Sequence, residues 1–159
     1  MKSVKDVFTA IVDFENRVGL FYESIAEDVR QQYGTFFEKL AEDEYRHAKI
    51  YEALGERASK DERIILSDDD AAFMKSMFEN SVLGKDFDPK KISKMRDKFQ
   101  ILDLAERVER EATSYVQDIM GFFPDFAPEE VRILLKEERK HLQMILEKKQ
   151  QMTTGFLGL

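Results

Sequence analysis

The chain has 159 residues, 43% of them hydrophobic and 36% charged, which suits one domain with a single buried core. It contains only 7 Gly and 3 Pro, which disfavours a β-sandwich or barrel with many turns and favours an all-α protein. The net charge of −7 argues against nucleic acid or an anionic membrane surface as the main partner, and the lack of cysteine excludes disulfides, thiol nucleophiles and cysteine-ligated iron.

The sequence shows no targeting signal and no membrane span. Its first residues, MKSVKDVF, lack the apolar core of a signal peptide, and no stretch has the apolar length needed to cross a bilayer. We therefore expect a cytoplasmic protein.

Two long helices are predicted in the first part of the chain. Residues 3–32 carry apolar side chains at three- and four-residue spacings, and Gly34 then interrupts the pattern. Residues 35–38 (Thr-Phe-Phe-Glu) match a capping box, so we expect the second helix to begin there and to end near Gly55.

The rest of the chain predicts a crossover and two more long helices. Ser67 before three aspartates indicates a short helix, and Asp88-Pro89 resembles the start of a third long helix that ends near Met120. Pro128 opens the fourth. Short turns within each pair and about thirty residues between the pairs predict two antiparallel hairpins joined by a long crossover, the connectivity of ferritin-like four-helix bundles. We assign residues 1–150 to this bundle and 151–159 to a C-terminal tail.

The only two histidines occur in the same motif. His47 and His141 each follow a glutamate by three residues, Glu44 and Glu138, and each pair lies within the apolar stripe of its helix. Residues three apart share one helix face, so a carboxylate and an imidazole can reach one metal ion together. Both motifs are therefore candidate metal ligands directed at the core.

The first and third long helices each place one acid on the inward face. Glu15 lies between Ile11 and Val18 in the apolar stripe, and Glu109 has the same relation to its neighbours. Glu106 is the nearest competitor of Glu109 for this role. Four buried carboxylates without partners would be costly, so they must bind protons or cations. Two divalent ions balance four carboxylates, and oxygen and nitrogen donors without sulfur favour Fe or Mn.

These motifs resemble a known family. Residues 15–26 are similar to the first helix of rubrerythrin-related proteins, in which the ligand glutamate is followed by a glycine, then Phe-Tyr and then a small residue. Residues 37–48 resemble the second helix and residues 134–141 the fourth. One glutamate on each of two helices and Glu-x-x-His on the other two is the di-iron signature of the ferritin-like superfamily. The resemblance covers nearly the whole chain and is weakest between residues 59 and 101.

Two departures from that family are informative. Rubrerythrins carry a second, cysteine-ligated iron domain that supplies electrons, whereas this chain resembles a relative that lacks a rubredoxin domain. The family also has an extra glutamate, linked to peroxide reduction, three residues after the ligand of the third helix. That position is Ala112 here. The implied ligand set is thus closer to the six-ligand arrangement of bacterioferritin.

The resemblance implies an oxidoreductase whose two iron ions, or manganese in their place, react with dioxygen or hydrogen peroxide. It implies that Glu44 and Glu138 bridge the ions and are the catalytic residues. The expected terminal ligands are Glu15, His47, Glu109 and His141. Electrons would come from an external donor protein, and we expect a homodimer.

Two other functions fit the sequence. A ferroxidase that stores or delivers iron would form a large oligomer, and a helical interaction module would bind no metal at all. Three tyrosines are open to two interpretations, either hydrogen-bond donors to the ligands or core side chains with wet hydroxyls. They are Tyr22, Tyr51 and Tyr115.

Overall fold

The computed structural model describes residues 1–28, 34–94 and 97–156, and its regular structure is entirely helical, which confirms the predicted all-α class. Within these residues there are five α-helices, one 3₁₀-helix and no strand. No helix in the described ranges is long and apolar enough to cross a lipid bilayer. The α-helices are α1 (Val4–Asp28), α2 (Gly34–Ser59), α3 (Asp68–Glu79), α4 (Lys98–Phe122) and α5 (Pro128–Phe156), and the 3₁₀-helix is Pro89–Lys94.

Side-chain contacts give the directions of the first two long helices. Phe8, near the start of α1, lies 6.5 Å from Tyr51 in the second half of α2, measured between ring centroids. Tyr22, near the end of α1, lies 5.8 Å from Phe37 at the start of α2. Early residues of one helix thus meet late residues of the other. The two helices form an antiparallel hairpin.

The second pair is arranged in the same way. Lys149, late in α5, contacts Asp103 at the start of α4 at 2.6 Å, so these helices are also antiparallel. Between the pairs, Phe14 of α1 packs against Tyr115 of α4 at 5.0 Å, and Tyr22 of α1 donates a hydrogen bond to Glu109 earlier in α4. Since α1 and α4 are therefore antiparallel, α2 and α4 run the same way, and the chain between them must return along the length of the bundle.

The crossover contains the short helix α3 and is hydrogen-bonded to α4 through Glu111. Ser67 caps α3 as predicted, because its Oγ accepts a hydrogen bond from the amide of Asp70 at 3.1 Å. After α3, Glu111 of α4 accepts hydrogen bonds from the Val82 amide at 2.7 Å and from the Ser81 hydroxyl. Glu111 therefore anchors the crossover to α4 and is not one of the buried core acids.

The third long helix begins later than the sequence predicts. Asp88-Pro89 begins only the short 3₁₀-helix, in which the Lys91 amide bonds to the Asp88 carbonyl at 3.0 Å. The α-helix starts afresh at Lys98, where the Asp97 side chain accepts from the Phe99 amide at 2.9 Å. Both Asp88 and Asp97 are good caps, so the sequence contained two start signals and the later one opens the long helix.

The predicted start of the second helix agrees with the structure to within one residue, but its predicted end was wrong. Thr35 lies inside α2, which is described from Gly34, and Gly55 lies inside it as well. A Cβ at Gly55 would come within 2.7 Å of Phe8 Cβ, so this glycine permits close approach of α1 and does not end the helix. The predicted end of the first helix at residue 32 lies outside the described residues. At the other end of the chain, α5 runs to Phe156, so residues 151–156 of the predicted tail continue the helix.

Candidate metal centre

Six ionisable side chains from the four long helices meet in the core. None is more than 3% exposed, which confirms the predicted inward placement. They are Glu15 from α1, Glu44 and His47 from α2, Glu109 from α4, and Glu138 and His141 from α5.

Two carboxylates lie between the two imidazoles. The Glu44 oxygens lie 3.2 Å from His47 Nδ1 and 2.8 Å from His141 Nδ1. Those of Glu138 lie 2.8 Å and 3.7 Å from the same two nitrogens. Ligand atoms from these four residues all lie within 4.8 Å of one another, so this group could hold a metal ion.

The remaining acids, Glu15 and Glu109, flank this group. Glu109 Oε2 lies 3.9 Å from His141 Nδ1, and its other oxygen accepts a hydrogen bond from the Tyr22 hydroxyl. Neither oxygen of Glu15 has a hydrogen-bond partner among the described residues, and burial together with the charges of Glu138 and Glu44 raises its pKa. These orphaned acceptors are buried, so a cation or a proton has to compensate them.

The competitor in α4 does not reach the core. Glu106 is partly exposed and forms ion pairs with Arg110 at 3.0 Å and Lys149 at 2.9 Å. Glu109, one turn later, is fully buried. Of the two acids, Glu109 is therefore the one that belongs to the site.

Two further acids contact the outer nitrogens of the imidazoles. His47 Nε2 lies 2.6 Å from Glu137 Oε2 of α5, and His141 Nε2 lies 3.1 Å from Asp43 Oδ2 of α2. Each histidine is thus held by an acid on the opposite helix. Arg46 contacts both acids, Glu137 at 3.1 Å and Asp43 at 3.5 Å. Such outer partners fix the ring orientation of metal-ligating histidines.

Sequence reasoning missed both outer acids. In isolation Asp43 and Glu137 look like solvated charges on amphipathic helices. The available signal was their shared position, since each directly precedes the glutamate of a Glu-x-x-His motif. Using it requires knowing that α2 and α5 are neighbours.

The three tyrosines have different roles. Tyr22 contacts the candidate ligand Glu109, whereas Tyr115 donates to Glu111 at 2.7 Å, the acid that holds the crossover. Tyr51 is buried, and its hydroxyl has no hydrogen-bond partner in the described part of the chain. Burial, together with the charges of the core glutamates, raises its pKa well above the usual value.

The core groups favour bound protons when no metal is present. Burial, with the nearby charges of other core acids, raises the pKa values of Glu15, Glu109 and Glu138. Burial opposes protonation of the imidazoles, but hydrogen bonds to the core glutamates outweigh it and raise the pKa of His47 to about 11 and of His141 to about 10.

Glu44 behaves in the opposite way from the other three core acids. Burial alone would raise its pKa, but hydrogen bonds from His141 and His47 lower it far below the usual value. An ionised Glu44 thus lies between two imidazolium groups. A metal ion that takes over these ligands must displace their protons.

No family model matches the chain, and no curated protein or solved structure matches it. The chemistry of the centre therefore has to be inferred from its ligand atoms and their geometry.

Proposed function

We propose that the chain is a di-iron oxidoreductase of the ferritin-like, rubrerythrin-related kind that reacts with dioxygen or hydrogen peroxide. The observation that supports it best is the position of Glu44 and Glu138, since each carboxylate faces the Nδ1 atoms of both His47 and His141. A carboxylate that faces both imidazoles would be able to help hold both ions of a metal pair.

The other ligands follow from the same geometry. Glu15 and Glu109 flank the central group and would be terminal ligands, beside His47 and His141 through their inward nitrogens. Two divalent cations would offset the four carboxylates, which removes the need for bound protons. Oxygen and nitrogen donors without sulfur suit Fe or Mn.

Bound iron would supply the electrons that reduce the oxidant, and the protein residues would control access, orientation and protons. With hydrogen peroxide, two electrons and two protons yield two molecules of water. Glu137 and Asp43 keep the imidazole Nε2 atoms engaged, so that each Nδ1 points inward. The Tyr22 hydroxyl holds Glu109.

An anaerobic titration with ferrous ions tests this proposal. We expect uptake to break near two ions per chain in the parent protein and to be lost in Glu44→Ala and in Glu138→Ala. Glu106→Ala is the matched control, because Glu106 lies on α4 close to the site in sequence but pairs with surface cations. No uptake by the parent protein, or uptake that survives both core substitutions, would contradict the proposal.

The oligomeric state separates the redox function from iron storage. A storage protein encloses its mineral in a shell of many subunits, whereas redox chemistry at one buried site requires no shell. We expect size-exclusion chromatography to give a homodimer. Elution as a large cage would favour the storage function instead.

A further inference from the structure

Helix α5 exposes a basic face away from the core. Arg132, Lys136, Arg139 and Lys140 follow one another at spacings of four, three and one, and all four are exposed. They line an open depression together with Leu135 and Gln143. From residue 132 to 143 this basic face extends roughly 17 Å along the helix axis, at about 1.5 Å per residue.

The positive charges of the basic face are exposed and available to a partner. None of the four forms an ion pair with any residue that the structure describes. Elsewhere, Lys5 pairs with Glu56 at 2.8 Å and Arg110 with Glu106 at 3.0 Å. At this face a chain of net charge −7 therefore carries four neighbouring exposed cations without an ion pair among the described residues.

The basic face belongs to the helix that supplies two ligands of the proposed centre. Arg139 and Lys140 lie between Glu138 and His141 in sequence, but they are exposed while the ligands are buried. The face and the site therefore lie on different sides of one helix, separated by about its diameter of 10–12 Å with side chains. A redox group held against the face would be close to the centre without entering the core.

We propose that the basic face is the docking surface for a small, acidic electron-carrier protein that reduces the di-metal centre. This inference rests on the proposed function, which needs two external electrons for each hydrogen peroxide reduced. A one-electron carrier would deliver them in two encounters and would itself be oxidised by one electron in each. The chain has no cysteine, so its own residues cannot form a cysteine-ligated relay.

Charge and size favour an acidic protein over other anionic partners. The net charge of −7 would repel a long polyanion or an anionic membrane, both of which extend well beyond a 12-residue strip. A small carrier needs to contact only the strip. The exposed Ile133 adjoins the cations and is 59% exposed, so an apolar contact is available beside the charged ones.

The test uses a plant-type [2Fe–2S] ferredoxin, an acidic one-electron carrier, as the probe. Its reduced form is mixed anaerobically with the iron-loaded, oxidised protein, and the second-order rate of reduction is followed at low and at high ionic strength. The face variant is Lys136→Glu/Arg139→Glu/Lys140→Glu. The control variant is Lys39→Glu/Lys49→Glu/Lys60→Glu, which changes net charge by the same amount at exposed positions outside the basic face.

We expect the face variant to slow reduction at least about tenfold at low ionic strength, and the control variant to stay within about twofold of the parent. The difference in reduction rate between the face variant and the parent should vanish in about 0.5 M salt, because salt screens the charges. Three results would overturn the docking proposal: equal slowing in both variants, no slowing in either, or no reduction of the parent protein by ferredoxin. The proposal would also be overturned if, at low salt, the parent protein were a dimer and the face variant a monomer, because the basic face would then be a dimer interface.

Two controls separate this proposal from the proposed function. Ferrous titration has to give the same stoichiometry in all three proteins, since failure of iron uptake would contradict the centre itself and not the docking surface. Oxidation by hydrogen peroxide, a neutral molecule, should proceed at the same rate in all three. A slower peroxide reaction in the face variant would show damage to the centre and would remove the support for docking.

Discussion

The two flanking glutamates of the centre, Glu15 and Glu109, are alike in position and different in surroundings. Each is fully buried, each comes from a helix that carries no histidine, and burial raises the pKa of both. Yet Glu109 accepts a hydrogen bond from Tyr22, whereas both oxygens of Glu15 lack partners among the described residues. The two helix pairs thus supply the same types of buried side chain but not the same hydrogen bonds.

The origin of this difference can be read from the sequence. Tyr22 lies seven residues after Glu15 on α1 and reaches across to Glu109 on α4. The matching position, seven residues after Glu109 on α4, is Val116. Its buried side chain has no hydrogen-bond donor that could reach Glu15. A spacing of two turns keeps both Tyr22 and Val116 on the inward face of their helices. The difference between the two flanking glutamates therefore arises from the Tyr22 hydroxyl alone. We expect the two metal positions to differ in affinity.

The largest expected effect comes from the protons that core residues of both helix pairs bind in the metal-free state. For a group whose pKa is raised by folding, stabilisation is complete below the unfolded pKa and is lost as pH rises through the folded pKa. This applies to Glu15, Glu109 and Glu138, and to His47 and His141 with folded pKa values of about 11 and about 10. Glu44 acts in the opposite sense, and its contribution is lost only in strong acid.

We therefore expect the Tm of the metal-free protein to fall as pH is raised from about 5 to about 9. Each titrating group removes up to about 1.4 kcal/mol per pH unit within its range. The Tm of the iron-loaded protein should stay constant or rise over the same pH range, because metal binding strengthens as protons leave the ligands. Calorimetry of both forms measures this, and a metal-free Tm that rises with pH would contradict the buried-proton account.

Tyr22→Phe tests the difference between the two flanking acids through metal affinity. Loss of an outer hydrogen bond to a metal ligand typically weakens binding by about 10- to 100-fold. We expect one of the two ferrous binding steps to weaken by this factor and the other to change little, measured by anaerobic calorimetric titration. Tyr115→Phe is the matched control, since its hydroxyl bonds to Glu111 and not to the centre. Equal weakening in both variants would mean that Tyr22 has no special role.

A smaller effect is expected in the metal-free protein. Glu109→Ala leaves the buried Tyr22 hydroxyl without its acceptor, whereas no described hydroxyl or amide donates to the two oxygens that Glu15→Ala removes. Because an unsatisfied buried polar group costs about 1–3 kcal/mol, Glu109→Ala should be less stable than Glu15→Ala by that amount in urea denaturation. In a Tyr22→Phe background the difference should disappear. Persistence of the difference there would assign it to packing instead.

The sequence was sufficient to predict what helical periodicity controls. The apolar stripes placed Glu15, Glu44, Glu109 and Glu138 inward, and the long segment between the hairpins indicated the crossover. Local rules were less decisive at helix ends. Asp88-Pro89 and Asp97 are both good start signals, and only tertiary packing selects between them.

Contacts between helices distant in sequence could not be predicted. Pairing of Asp43 with His141, and of Glu137 with His47, depends on α2 lying beside α5. The same is true of Tyr22, whose hydrogen bond to Glu109 joins α1 to α4, whereas Tyr115 bonds to Glu111 one turn earlier in its own helix. Gly55 was read as a helix end because its contact with Phe8 of α1 is not visible in the sequence.

Anomalous diffraction at the iron absorption edge, from crystals grown anaerobically with ferrous ions, tests the di-metal centre most directly. The account predicts two strong peaks per chain between Glu44 and Glu138, one beside the Nδ1 atom of His47 and the other beside that of His141. Peaks found only at surface carboxylates such as Asp68–Asp70, or no peak within the bundle, would contradict it.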